Sequence, residues 1–119
     1  MQKTRHFDQK MNSCGINSAM TEFTLKFGDV KKDKVFLNRQ MVTKEVTQLK
    51  IKQTKLQNLL KKFKFFKVAY LIKKFLDKVK RDLVTAKKIL DKGGLVVVTE
   101  GGKLITTYDF ESNNRLGKY

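Results

Sequence analysis

Few side chains in this sequence could carry covalent or proton-transfer chemistry. His6 is the only histidine and Cys14 the only cysteine, and neither has a second ligand or a base at the spacing that metal binding or nucleophilic catalysis uses. Asp77 and Asp82 sit among Lys and Arg, a setting that suits ion pairing better than a general acid and base. No glycine-rich phosphate loop is present, and Gly93-Gly94 and Gly101-Gly102 read as backbone punctuation. The expectation is a protein that is not an enzyme, with no catalytic residue, metal, cofactor or small-molecule substrate.

The chain has ammonium groups in excess. Twenty-seven Lys and Arg face eleven Asp and Glu, a formal charge of +16 over 119 residues. The excess is local, because residues 34–81 hold fifteen basic groups against Glu45 and Asp77 alone. Charge concentrated in this way repels itself and attracts polyanions, so nucleic acid is the expected partner. The candidate contacts are Lys61, Lys62, Lys64, Lys67, Lys73, Lys74, Lys78 and Lys80, then Arg81, Thr85, Lys88 and Lys92 at steps of four, three and four, and finally Lys103. Such groups displace counterions from phosphates. Phe63, Phe65, Phe66, Tyr70 and Phe75 interleave with these lysines and could stack unpaired bases. In a small domain without Trp, most of them are expected to fill the core instead.

The elements that must carry these residues follow from periodicity. Residues 1–20 have no apolar period and read as an extended arm. Phe23, Leu25 and Phe27 alternate with polar residues as in a half-buried strand, and 29–34 reads as a polar connector. Val42, Val46, Leu49, Gln53, Leu56, Leu60 and Phe63 line one face of a first helix, with Thr43 beside Glu45 as one start signal and Asn38 as an earlier candidate cap. Lys64 to Phe66 reads as a short extended link. A second helix covers Val68 to Val79, and a third runs from about 80–82 to a stop at Gly93-Gly94. Leu95–Thr99 and Leu104–Tyr108 flank Gly101-Gly102 as a β-hairpin, which pairs Glu100 with Lys103, Val98 with Ile105, Val96 with Thr107 and Leu95 with Tyr108.

Three helices followed by a hairpin is the element order of a winged-helix domain. The expected class is α+β: a winged-helix-like domain of three helices plus a C-terminal β-hairpin wing over 34–112, an extended N-terminal arm over 1–33 and a tail over 113–119. The third helix would be the recognition element, with Lys78 and Lys80 beside its unpaired N–H groups and Lys103 at the wing tip.

Three stretches carry a family likeness: Phe63-Lys64-Phe65-Phe66, the segment Ala69 to Leu76, and Ala86 to Val96. Together with Val35-Phe36-Leu37-Asn38 and Thr43-Lys44-Glu45-Val46, they resemble the winged-helix core of the eukaryotic small-subunit ribosomal protein family twenty-five over about 34–110. The resemblance implies a structural constituent of the cytoplasmic small ribosomal subunit. It would dock on structured rRNA near the head, with its arm among RNA and neighbouring ribosomal proteins. A single cysteine points to a reducing compartment. The N-terminus lacks the apolar centre of an export signal, no stretch reaches the length of a membrane span, and no membrane partner is expected. The alternatives are an organelle (mitochondrial) ribosomal protein of different fold, a winged-helix DNA-binding regulator, and a membrane-surface amphipathic protein.

Overall fold

Short polar side chains start three of the four helices in the computed structural model, which describes residues 2–63 and 65–110. Thr4 Oγ1 accepts from the Phe7 amide at the head of α1 (Arg5–Cys14). Asn17 Oδ1 accepts from Met20 at α2 (Ser18–Phe27), and Asn38 Oδ1 accepts from Met41 at α3 (Arg39–Lys62). The fourth helix, α4 (Phe66–Asp91), has no side-chain cap. Five strands complete an α+β fold: β1 (Gln2–Lys3), β2 (Asp29–Lys31), β3 (Lys34–Asn38), β4 (Gly94–Glu100) and β5 (Lys103–Asp109). They form one sheet in the order β1-β5-β4-β3-β2, antiparallel except where β1 runs along β5.

The N-terminal third is folded, in contrast to the expected extended arm. Phe7, Met11, Ile16, Met20 and Phe23 are buried in the main core with Leu37, Val42, Val46, Leu49, Leu83, Ala86, Ile89, Leu95, Val97 and Leu104. The strand expected at 21–27 is helical because Met20, Phe23, Thr24 and Phe27 also fit a helical period, and the Asn17 cap favours the helix. The connector at 29–34 is a small hairpin of β2 and β3, turning at Lys32 with φ 58°.

The second and third helices expected from the sequence are one. Leu76, Val79, Leu83 and Ala86 continue a single buried stripe through 80–82, and no Gly or Pro stands there to interrupt it. Three helices and a wing thus become a long α3–α4 helical hairpin followed by the β4–β5 hairpin. The helix does stop at Gly93-Gly94, with φ 75° and 115°. A Cβ on Gly94 would lie 2.1 Å from the Leu37 carbonyl oxygen, so this position requires glycine on two grounds.

The Gly101-Gly102 turn forms as expected, and Glu100 pairs with Lys103. Beyond it, the register slips by one residue. Thr99 faces Leu104 but Val98 faces Thr106, so Ile105 is a bulge and Val96 and Leu95 face Tyr108 and Asp109. Thr4 Oγ1 lies 3.0 and 3.2 Å from the Leu104 and Ile105 carbonyl oxygens and donates to them at this bulge. Asp109 closes β5, and the tail expected at 113–119 lies outside the described residues.

Candidate nucleic-acid interface

The α3–α4 hairpin has two parts with different support. Its base, from Val42 to Leu49 on α3 and from Val79 to Ile89 on α4, belongs to the core shared with the sheet and with α1 and α2. Its distal part closes mainly on itself: Ile72 and Leu76 are buried outside that core, and Gln53, Leu60 and Ala69 are half-buried, while Leu56 still packs against the core. With α3 ending at Lys62 and α4 beginning at Phe66, the two helices pack as neighbours, and the distal half is a two-helix finger.

On α4 the cations recur every seven residues. Lys67, Lys74, Arg81 and Lys88 form one line, and Lys73, Lys80 and Lys87 form a second beside it; all seven are exposed. Seven residues are nearly two helical turns, so neighbours within a line are about 10 Å apart. At that spacing in water, each pair repels by about 0.4 kcal/mol before salt screening. The fold tolerates this easily, while a polyanion laid along the helix meets all seven charges. Among the described residues, none of the seven is ion-paired to a carboxylate. Lys74 also lies over the Tyr70 ring, 5.6 Å from its centroid.

The expected site residues divide into several groups. Arg81 and Lys88 are exposed on α4, in the middle and near the end of one long helix and not on a separate third one. Thr85 lies between them, but its hydroxyl donates to the Arg81 carbonyl (3.1 Å). Lys78 and Lys80 do not flank a helix start; they are inside α4, where the backbone N–H groups are bonded within the helix, so no dipole end assists them. Lys92 leaves the stripe altogether. Its ammonium donates to the Cys14 carbonyl and lies 3.7 Å from Asp109 Oδ1, which ties α1 to β5. Lys61 and Lys62 are exposed in the last turn of α3, Lys64 lies outside the described residues, and Lys103 is exposed beside the β4–β5 turn.

The rings expected in the core are not there. Phe63, Phe65, Phe66, Tyr70 and Phe75 are all exposed; the core is built instead around Phe7, Met20, Phe23 and the aliphatic residues of the sheet. Sequence reasoning also missed Lys87, which the seven-residue spacing reveals once α4 is read as one helix. It missed Lys52 and Lys55 as well, which with Lys26 and Lys78 edge a groove of about 440 Å³ whose apolar lining includes Leu56, Leu59, Phe75 and Val79.

Among the described residues no group of three or more His, Cys, Asp or Glu is placed to hold a metal ion. No helix there is long and apolar enough to cross a membrane. No family model, curated protein or solved structure matches the chain.

Proposed function

We propose that this protein binds structured RNA through the exposed face of α4, as a constituent of a ribonucleoprotein. The observation that carries this reading is the double line of seven exposed cations on one continuous helix, none with a carboxylate partner among the described residues. Their long stems and point charges suit phosphate contact and supply little base readout, so recognition would follow the shape of the RNA. With seven phosphates neutralised, log affinity would fall by about 6 for each decade of salt on a duplex and by about 5 on a single strand.

A place in the small ribosomal subunit, cytoplasmic or organellar, with rRNA and neighbouring ribosomal proteins as partners, is the specific form of this proposal. It draws on the likeness to ribosomal protein family twenty-five at 86–96 and on the helix, Gly-Gly and hairpin order that follows. In a winged-helix description, β4–β5 would be the wing, Lys103 its tip and the C-terminal half of α4 the recognition element.

The test is an RNA titration across salt concentrations. Arg81→Glu with Lys88→Glu is expected to weaken binding at least ten-fold and to lower the salt slope by about 2, with the circular dichroism spectrum unchanged because both residues are exposed. Wild-type affinity and slope in that variant would remove α4 from the interface. Sedimentation of the tagged protein with the small-subunit peak of a ribosome profile is expected; its absence there would reject the ribosomal assignment and leave RNA binding to the titration.

A further inference from the structure

The end of the α3–α4 finger exposes more apolar surface than phosphate binding uses. Phe65 and Phe66 at the apex are 78% and 85% exposed, and Phe63, Val68, Tyr70 and Leu71 behind them are exposed as well. On α4, positions 68, 71 and 75 share one flank while 66 and 70 lie on another. The apolar surface therefore wraps the finger and does not form a single seam. A seam would suit one partner helix; a surface that is apolar on several sides suits a medium into which the tip is immersed.

The charges around this tip identify that medium. Between Glu45 and Asp77 the sequence has nine lysines and no acid, and Lys61, Lys62, Lys67, Lys73 and Lys74 stand exposed among the rings. Aromatic and aliphatic side chains interleaved with uncompensated ammonium groups match an anionic bilayer surface. There the rings reach the boundary between headgroups and acyl chains, and the lysine stems snorkel back to the phosphates. Nucleobases would stack on the flat rings but would gain little from Val68 and Leu71.

We infer that the apex of the α3–α4 finger is a peripheral membrane contact that inserts Phe63, Phe65 and Phe66 shallowly into an anionic lipid surface. This contact shares Lys67, Lys73 and Lys74 with the proposed RNA face of α4, while its rings lie outside that face, so the ring variants separate the two readings. The sequence pointed away from a membrane partner because no stretch reaches the length of a membrane span; a contact at the lipid surface needs no span, only exposed apolar and cationic side chains. Binding is reversible and needs both terms: charge draws the finger to the surface, and the rings hold it there.

The full chain provides its own spectroscopic test because it contains no Trp. Phe65→Trp is expected to show a blue-shifted emission, quenched by brominated lipid, on addition of phosphatidylcholine vesicles with about 30% phosphatidylserine. The shift should be much weaker with phosphatidylcholine alone. Phe65→Ser with Phe66→Ser is expected to reduce vesicle partition about ten-fold or more, with an unchanged thermal midpoint. An indole that stays in water beside the anionic vesicles would overturn the inference. So would a serine variant that sediments with vesicles as well as the unaltered chain does. Loss of single-stranded RNA binding in the serine variant, with no vesicle response from the indole, would assign the rings to base stacking and reject the membrane contact.

Discussion

Lys92 and Lys88 are one helical turn apart and have different work. Lys88 is exposed on α4, whereas Lys92, just past the helix end, reaches back to the Cys14 carbonyl and to Asp109. Asp109 Oδ1 is buried and, among the described residues, has no hydrogen-bond donor; the ammonium at 3.7 Å is what compensates it. Lys92→Ala should therefore lower stability by about 1–2 kcal/mol, the lower end reflecting the partial exposure of both side chains. A urea midpoint measures that loss. RNA affinity should stay within about two-fold of wild type, since a charge outside the stripe contributes only through a screened field. Nothing in the sequence separated Lys92 from Lys88, because both fit the same spacing and the distinction lies in a contact across 78 positions of chain.

At the scale of elements, legibility followed how local each signal was. The β4–β5 turn, the Gly93-Gly94 stop and the Asn38 cap were readable because each is fixed by residues next to one another. The bulge at Ile105 was not, because it involves a Thr4 hydroxyl from the far end of the chain. The continuity of α4 was hidden for another reason: Lys80-Arg81-Asp82 is a polar triplet that resembles a turn, yet its residues are acceptable in a helix and the buried stripe passes beneath them. Continuity has a direct test. Lys80→Pro would remove a helical hydrogen bond and cost about 3 kcal/mol or more, read as a lowered thermal midpoint with loss of helical dichroism. A loop at 80–82 would accept the same substitution with little change. The candidate site shared this fate: its residue types were legible, but their two lines became visible only with an unbroken helix.

In the whole molecule, residues that lacked an obvious period turn out to be structural. Phe7, Met11 and Ile16 are almost fully buried, each contributing about 1.5–3 kcal/mol by burial. Their sum rivals the entire stability of a small domain, about 5–15 kcal/mol. Deleting residues 1–16 should therefore abolish cooperative unfolding, as followed by calorimetry, whereas a dispensable arm would leave the transition intact. The sequence hid this layer because three apolar side chains over ten positions, set among Gln, Asn and Ser, are too sparse to declare a face.

The parallel pairing of β1 with β5 joins Gln2 and Lys3 to Lys103 and Leu104. During synthesis, α1 lacks β5, the element it packs against most, until that strand has emerged. Closing so long a loop comes late and slowly. Until then Phe7 and Met11 are only partly covered, and apolar surface left open in this way is prone to aggregation.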